Sequence, residues 1–174
     1  MLKFLLLKIR IKINSLLDRA YIPGTVSYRA KHFIIGKNVK FGGNVSLHGN
    51  ATITIGDNTM IAYGVVINTS THDYNCHPMW AKRIDLPVKI GCDVWIGLGA
   101  IILPGVIIED YAVIGAGSVV TSNVPTGAIV AGNPCRILRF RNAEVYHNVD
   151  PSITDPEEGE IILGTHKDKY CKTI

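Results

Sequence analysis

Side chains that can carry chemistry are concentrated in residues 73–89 and in the histidine directly before them, His72. The stretch reads DYNCHPMWAKRIDLPVK and holds a histidine, a tryptophan, a tyrosine and charges of both signs. An imidazole group ordinarily titrates near neutral pH, so a histidine held beside a cleft can remove the proton of a hydroxyl group. His72 and His77 are therefore rival candidates for a general base, although a surface histidine taken alone is usually inert.

Four side chains of this stretch are candidate substrate contacts: Asp73, His77, Trp80 and Arg83. Asp73 can orient the ring of His72 or bind a substrate hydroxyl, and a solvated loop carboxylate is the alternative. Trp80 offers a flat apolar face on which the ring of a ligand can stack, but burial as an anchor of the loop is favoured.

A second group of chemically capable residues follows the last regular part of the chain, where Arg136, Arg139 and Arg141 form a basic cluster. Guanidinium groups match the geometry of phosphates, so the cluster is a candidate phosphate site. A solvated basic face is the alternative. The sequence contains no P-loop and no GxGxxG motif before a helix, so nucleotide hydrolysis has no support.

The part of the chain that must position these residues has a sequence that repeats every six residues. From Ile90 the sequence reads IGCDVW, IGLGAI, ILPGVI, IEDYAV, IGAGSV and VTSNVP. An earlier run starts at Ile35, is interrupted by two extra residues, Ile53 and Thr54, and resumes at Ile55. A helix would repeat its apolar residues every three or four positions, whereas this period indicates very short strands separated by regular bends. The predicted fold is an all-β solenoid.

Each position of the block has its own predicted role. The aliphatic first position supplies the core, and the small or β-branched fifth position lets successive coils close up at about 4.8 Å, the spacing of neighbouring strands. Nine of the twelve fourth positions are Asn or Gly, the residues that adopt a positive φ at least cost. Residues 73–89 break the period and are predicted to be extruded from the solenoid.

Charge and cysteine content narrow the class of protein. The net charge is +4, but residues 1–40 carry nine Lys or Arg against one acid, so the basic character is local. A general nucleic-acid binder is thereby disfavoured. The four cysteines are widely spaced and form no C-x-x-C motif, which predicts reduced thiols in a cytoplasmic protein.

The predicted organisation is an N-terminal basic segment with a connector, residues 1–34, a solenoid, residues 35–141, and an extension, residues 142–174. Residues 1–20 predict a short amphipathic helix that is too interrupted by charge for a secretory signal or a membrane span. Packing on the solenoid or on a neighbouring subunit is favoured over weak contact with an anionic membrane surface, and an edge strand over residues 8–13 remains an alternative.

The motifs taken together resemble a known family. The blocks of six, THD before an extruded loop, PVKIGCDVWIG, PGVIIEDYAVIGAGSVVT and the ending VPTGAIVAGNPCRILR are similar to the left-handed β-helix acetyltransferases. The nearest type is the sugar O-acetyltransferases that act on maltose, galactosides and nodulation factors. The resemblance covers roughly residues 35–141 and implies a left-handed parallel β-helix, acetyl-CoA as cosubstrate and no required metal.

The resemblance also implies roles for individual residues. His72 falls at the position of the catalytic histidine, and Trp95 at that of a tryptophan beside the thioester and the acceptor. The positions implied to contact the pantetheine arm, the adenosine end and the phosphates are Gly97, Ala116, Thr121, Asn133, Pro134, Arg136 and Arg139.

The family implies a homotrimer with active sites between subunits and a sugar or glycan precursor of polysaccharide biosynthesis as acceptor. We expect a cytoplasmic enzyme, peripheral at the inner face of the membrane if residues 1–20 contact lipid. Three alternatives are N-acetylation of an amino sugar, a zinc enzyme of the γ-carbonic-anhydrase kind and a non-catalytic solenoid. The zinc enzyme needs three converging histidines, for which the six histidines show no matching pattern.

Overall fold

The computed structural model describes residues 26–28 and 32–142, and within them three sheets, parallel except for the last strand of one, make up the faces of a coil. Sheet A contains β1 (Val26–Tyr28), β4 (Val45–His48), β7 (Val66–Asn68), β12 (Ile101–Ile102) and β15 (Val119–Val120). Sheet B contains β2 (Phe33–Ile35), β5 (Ile53–Ile55), β10 (Val88–Ile90) and β13 (Ile107–Ile108). Sheet C contains β3 (Lys40–Phe41), β6 (Met60–Ile61), β11 (Trp95–Ile96), β14 (Val113–Ile114), β16 (Ala128–Gly132) and β17 (Cys135–Phe140).

The remaining elements form an excursion from the coil. Strands β8 (Ser70–His72) and β9 (Arg83–Asp85) pair antiparallel as a two-stranded ribbon, with a 3-10 turn at Met79–Ala81 between them. The chain visits the sheets in the constant order A, B, C, so each coil has an A–B, a B–C and a C–A edge. The ribbon leaves the coil at the A–B edge, directly after β7.

The strand register explains how the excursion fits into a regular solenoid. Above the ribbon the regular offset is 18 residues, as between Trp95 and Val113, and it falls to 16 only at the last coil, between Val113 and Ile129. Across the ribbon the offset is 35, as between Met60 and Trp95. The difference is 17 residues, the length of the predicted insertion, so the loop is added to the coil without shifting its register. The two extra residues similarly give an offset of 20 between Lys40 and Met60.

The core confirms the predicted roles of the first and fifth positions. The first-position side chains from Phe41 to Val120 are all buried, and only Ile35 at the start of the solenoid is partly exposed. Ten of the twelve fifth positions are also buried. Thr59, one of the polar ones, donates from its hydroxyl to the carbonyl of Gly91 in the next coil at 2.8 Å.

The bends follow the fourth-position pattern, with one systematic exception. Positive φ occurs at nine fourth positions, and the three without it are Asn50, Ser70 and Asn123. All three lie on the A–B edge. Tyr111, which breaks the Asn/Gly pattern, has φ 63° and is buried.

The structure corrects two expectations and leaves others outside its range. The solenoid extends upstream of residue 35, because β1 pairs with β4 and β2 with β5. Cys76 and Cys135 are free, but Cys92 is disulfide-bonded, so the prediction of reduced thiols is wrong there. Disulfide pairing depends on proximity in the fold, which sequence spacing does not reveal. The predicted N-terminal helix and residues 143–174 lie outside the described residues.

Asp93 is a buried carboxyl group at a bend of the B–C edge. Its φ is 54° and its Oδ2 atom has no hydrogen-bond partner within the described chain. Burial, followed by repulsion from Asp110, raises its pKa from 3.8 to about 7, against the opposing effects of Arg141 and Asn58. The folded state therefore binds more protons than the unfolded state between these two pH values. The free energy of unfolding must fall as the pH rises through this window.

We expect Asp93→Asn to stabilise the protein increasingly as the pH is raised from 4 to 8. Asparagine keeps the shape and tolerates the bend, as at Asn58 with φ 56°, but carries no charge to bury. The gain should be negligible near pH 4 and roughly 2–4 kcal/mol above pH 7, since one pKa unit corresponds to about 1.4 kcal/mol. Urea unfolding of both proteins between pH 4 and pH 8 measures this gain in the free energy of unfolding. A difference that does not change with pH would show that Asp93 is not the titrating group.

Candidate active site

His72 lies at the end of β8, where the ribbon leaves the body of the solenoid. Its side chain is exposed, and it pairs across the ribbon with Arg83. Ser70 pairs in the same way with Asp85. Because side chains two residues apart on a strand point to the same side, these four residues share one face of the ribbon. The predicted base therefore stands on a polar surface formed at the A–B edge.

Asp85 connects this surface to the coil below. Its carboxylate accepts hydrogen bonds from the Ser70 hydroxyl, from Asn50 Nδ2 at 3.4 Å and from Arg83 Nε at 3.3 Å. The Ser70 hydrogen bond is the largest cause of the lowered pKa of Asp85, and Arg83 lowers it further. Asn50 belongs to the preceding coil, so the network fixes the ribbon against the solenoid.

Asp73 closes the hairpin instead of standing free beside His72. Its carboxylate accepts from Lys82 Nζ at 2.8 Å and from the backbone N–H of Asn75 at 3.0 Å. Its own N–H donates to the carbonyl of Lys82 at 2.9 Å. The hydrogen bond with Lys82 is the main cause of the lowered pKa of Asp73 and of the raised pKa of Lys82. These contacts give Asp73 a structural role at the base of the tip.

The tip of the hairpin presents aromatic groups to solvent. His77 is exposed, and the Trp80 side chain is 76 % exposed within the 3-10 turn. The favoured interpretation of Trp80 as an anchor buried on the solenoid is therefore wrong for this chain. Trp80 lies three residues before β9 in the hairpin tip, and the ribbon carries this tip away from the core of the solenoid. Trp80 remains a candidate for stacking on a ligand.

The predicted cofactor residues lie mainly on sheet C and on the C–A edge. Trp95 stands on the outer surface of sheet C, 44 % exposed, in register with Met60 below and Val113 above. Gly97 begins the next bend, where an added Cβ would lie 2.6 Å from the backbone nitrogen of Ala116. Gly97 is therefore required for coil stacking. Ala116 itself is exposed on the edge.

The AGNPCR segment forms a second hairpin above this edge. Strands β16 and β17 pair antiparallel, and Asn133 and Pro134 form the exposed turn between them. The N–H of Gly132 donates to Ser118 Oγ at 3.2 Å, which fixes the turn over the C–A edge. Arg136 and Arg139 are both exposed on β17, and Arg136 Nη1 also donates to the carbonyl of Cys135 at 2.8 Å.

The sequence-predicted residues thus fall into two groups on different edges of the solenoid. His72, the ribbon and Thr121 are on the A–B edge, whereas Gly97, Ala116 and the Asn133 turn are on the C–A edge. A strand of sheet A separates them, and three residues at roughly 3.3 Å each span about 10 Å. One chain does not bring all of these residues together.

Three residues of the A–B surface were not identified from the sequence: Ser70, Asp85 and Asn50. None belongs to a recognisable motif, and Asn50 resembled the other bend residues. Only the register of β8 with β9 brings Ser70 opposite Asp85. The two-residue spacing of Arg83 and Asp85 was the one available signal.

Comparison with known proteins identifies the family. Family models described as "Bacterial transferase hexapeptide (six repeats)" and "Hexapeptide repeat of succinyl-transferase" match residues 87–122 and 33–69. Nodulation protein L of Rhizobium meliloti is 45 % identical over 122 residues, which cover 66 % of this chain and 67 % of that protein. The chain belongs to the hexapeptide-repeat acetyltransferase family. Its coil is accordingly a left-handed parallel β-helix.

Further relatives of this hexapeptide-repeat protein agree in sequence and in structure. Galactoside O-acetyltransferase of Escherichia coli is 39 % identical over 115 residues, 65 % of this chain and 56 % of that enzyme. A hexapeptide-repeat acetyltransferase of Vibrio cholerae, solved with acetyl coenzyme A, is 32 % identical with a TM-score of 0.62 and 70 % of each chain covered. The chain therefore spans little more than half the length of the galactoside enzyme.

Proposed function

We propose that this protein transfers the acetyl group of acetyl-CoA to a hydroxyl of a sugar or glycan precursor. The observation that carries the proposal is the placement of His72, exposed at the root of a ribbon that projects from an acetyltransferase-family solenoid. Relatives named as galactoside O-acetyltransferase and as a complex with acetyl coenzyme A support the reaction class and the cosubstrate.

The openness of the C–A edge supports its use as the binding site of the acyl-carrying arm. Ala116 is exposed, and a Cβ built at Gly117 meets no atom within 4 Å, so the edge is open to a ligand. Arg136 and Arg139 stand exposed beyond it, where their guanidinium groups can bind phosphates. Bound acetyl-CoA supplies a thioester, which is an activated acyl donor. No metal is required for this chemistry, and the described residues contain no group of three or more metal-binding side chains.

His72 performs the proton transfer in this proposal. An imidazole nitrogen of His72 removes the proton of the sugar hydroxyl as its oxygen bonds to the thioester carbonyl carbon. When the carbon–sulfur bond breaks, the imidazolium returns the proton to the departing sulfur. The products are an acetyl ester and the free thiol, and the histidine is restored.

Two features support a homotrimer in which each site is shared between neighbours. The base lies on the A–B edge and the cofactor residues other than Thr121 lie on sheet C or the C–A edge, so a second copy can bring its C–A edge against the A–B edge of the first. The outer faces of sheets A and C also carry apolar columns, with Met60 43 % and Ile101 37 % exposed. Such columns are typical of surfaces that become buried between subunits.

We expect mixed trimers of two inactive variants to regain activity. His72→Ala removes the base, and Arg136→Glu weakens phosphate binding on the other edge. If the site is shared, a mixed trimer contains one site in which the A–B edge of an Arg136→Glu subunit meets the C–A edge of a His72→Ala subunit. Both edges of that site are intact, so co-expression should restore a measurable fraction of wild-type turnover. Light scattering checks the trimer itself. Activity from a monomer, or co-expression no better than either variant alone, would contradict the shared site.

The reaction is tested by acceptor-dependent release of the CoA thiol over a panel of sugars, amino sugars and nucleotide-linked sugars. We expect release with sugars that offer only hydroxyl groups, and not exclusively with the corresponding amino sugars. Preference for the amine throughout would favour the alternative, N-acetylation of an amino sugar. No acceptor-dependent release across the panel would contradict the proposed function.

We also propose a cytoplasmic location, with residues 1–20 making weak contact with anionic lipid. The support is the excess of basic residues over residues 1–40. Within residues 26–28 and 32–142 no helix is long and apolar enough to cross a membrane. Co-sedimentation with anionic vesicles at low salt should decrease when residues 1–19 are deleted, and equal binding would refute the contact.

A further inference from the structure

Arg83 is the group on the A–B surface whose binding capacity is least used. Its Nε atom lies 3.2–3.3 Å from the two carboxylate oxygens of Asp85. Its two terminal nitrogens have no partner among the residues that the structure describes. A guanidinium group has five N–H donors in a planar fork, so four of the five donors of Arg83 remain available for a ligand.

The position of Arg83 relative to the base is set by the ribbon. Arg83 is directly opposite His72 in the antiparallel pair, and Cβ atoms at such positions are about 4.5–5.5 Å apart. An acceptor whose hydroxyl contacts His72 is therefore within reach of the Arg83 side chain. Asp85, held in turn by Ser70 and Asn50, orients the fork at this point.

The surrounding charges decide what kind of group the fork can attract. The carboxylate of Asp73 is paired with Lys82, and that of Asp85 already accepts from Ser70, Asn50 and Arg83. These four charged residues sum to zero, so no strong long-range field arises from them. Only the terminal nitrogens of Arg83 lack a partner among these groups. They can bind an anion that comes into direct contact, but they do not attract one from a distance.

We propose that Arg83 selects acceptors with a carboxylate or phosphate group close to the hydroxyl that is acetylated. This inference rests on the proposed function and names its acceptor class: acidic sugars or sugar phosphates instead of neutral sugars. The planar guanidinium group can bind either a carboxylate or a phosphate through two parallel hydrogen bonds. A charge-assisted contact of this kind corresponds to about a 10- to 100-fold preference in kcat/KM.

The test compares matched acceptors: galactose, galacturonic acid and galactose 6-phosphate. The measured quantity is the ratio of kcat/KM for each acid to that for galactose, which cancels any loss of folded enzyme. We expect ratios of about 10 to 100 for at least one acid in the wild type. Whichever acid gives the larger ratio distinguishes a carboxylate from a phosphate.

Three variants separate recognition by the fork from general charge effects. Arg83→Gln should reduce the ratio to near 1, and Arg83→Lys, which keeps the charge but loses the fork, should leave an intermediate value. Lys82→Gln removes the same charge from the adjacent residue and should leave the ratio as in the wild type. A structural role of Arg83 alone would lower turnover with all acceptors and leave the ratio unchanged.

The outcomes distinguish this inference from the proposed function. Transfer to galactose with wild-type ratios near 1 for both acids overturns the acidic acceptor class and leaves O-acetylation intact. An acid preference that survives in Arg83→Gln, or disappears in Lys82→Gln, overturns the role of Arg83. Failure to acetylate any of the three sugars or any other member of the wider panel contradicts the proposed function itself.

Discussion

His72→Ala should lower kcat by about 10²–10⁴-fold while leaving the fold and the binding of acetyl-CoA nearly unchanged. The acceptor hydroxyl is a very weak acid, and its attack on a thioester is slow unless the proton leaves as the bond forms. This loss corresponds to about 3–5 kcal/mol of barrier. Because the ring is exposed at the end of β8, its removal leaves no cavity in the core. Steady-state kinetics together with thermal melts measure both effects.

His77→Ala is the matched control for this prediction. His77 is the rival histidine, equally exposed but further along the hairpin. Its removal should cost far less turnover, with any effect mainly on the KM of the acceptor. If His72→Ala keeps most of its kcat while His77→Ala loses it, the assignment of the base is wrong.

Gly56→Ala should destabilise the solenoid by about 3 kcal/mol or more, at the upper end of the range for overpacked sites. Gly56 is buried at the B–C edge, and an added Cβ would lie 2.5 Å from the carbonyl carbon of Gly91 and 2.7 Å from the nitrogen of Cys92. Both contacts are backbone atoms of the next coil, which cannot rotate away. The coils would have to separate, so hydrogen bonds such as Gly56 N–H to the Ile90 carbonyl would lengthen. Urea unfolding measures the loss.

Gly117→Asn separates this effect from the cost of an unusual backbone conformation. Gly117 has φ 67°, but a Cβ built there meets nothing within 4 Å. Asparagine already occupies equivalent bends at Asn38 and Asn44 with φ 54° and 56°. The variant should therefore cost less than about 1 kcal/mol. Equal losses in Gly56→Ala and Gly117→Asn would contradict the close approach of neighbouring coils as the cause of the loss in Gly56→Ala.

The solenoid could be predicted from the sequence because each coil repeats the same local chemistry. Aliphatic residues such as Ile96 and Ile114 recur with the period that brings them into register, so local pattern and long-range contact coincide. The insertion could be located for the same reason, since it interrupts that pattern. The start of the coil could not be placed, because β1 and the first two residues of β2 precede the first recognisable block.

The arrangement within the insertion could not be predicted. Residues 73–89 have no period, and antiparallel pairing of β8 with β9 depends on contacts such as Asp73 with Lys82 and Ser70 with Asp85. Sequence spacing alone does not select these pairs from many others. The sequence consequently identified His72 and Arg83 as candidates but did not place them opposite each other.

The candidate cofactor residues were grouped by resemblance, and the structure separates their roles. Gly97 is needed where a coil passes close to Ala116, so its identity has a packing reason apart from any ligand. Trp95 is exposed on a sheet face, where core packing does not explain its size. Most of these residues lie on sheet C or on the C–A edge, whereas Thr121 lies on the A–B edge with His72, and this distribution depends on the order in which the chain visits the sheets.

The most direct test of the account is the chemical identity of the bond formed by the wild-type enzyme. Acetyl-CoA and a sugar acceptor from the panel are incubated with the protein, and the product is analysed by mass spectrometry before and after mild alkali. O-acetyl transfer with His72 as the base predicts a sugar that has gained one acetyl group, loses it in alkali as an ester does, and is nearly absent with His72→Ala. An alkali-stable acetyl group, or undiminished product from His72→Ala, would contradict O-acetyl transfer by this base.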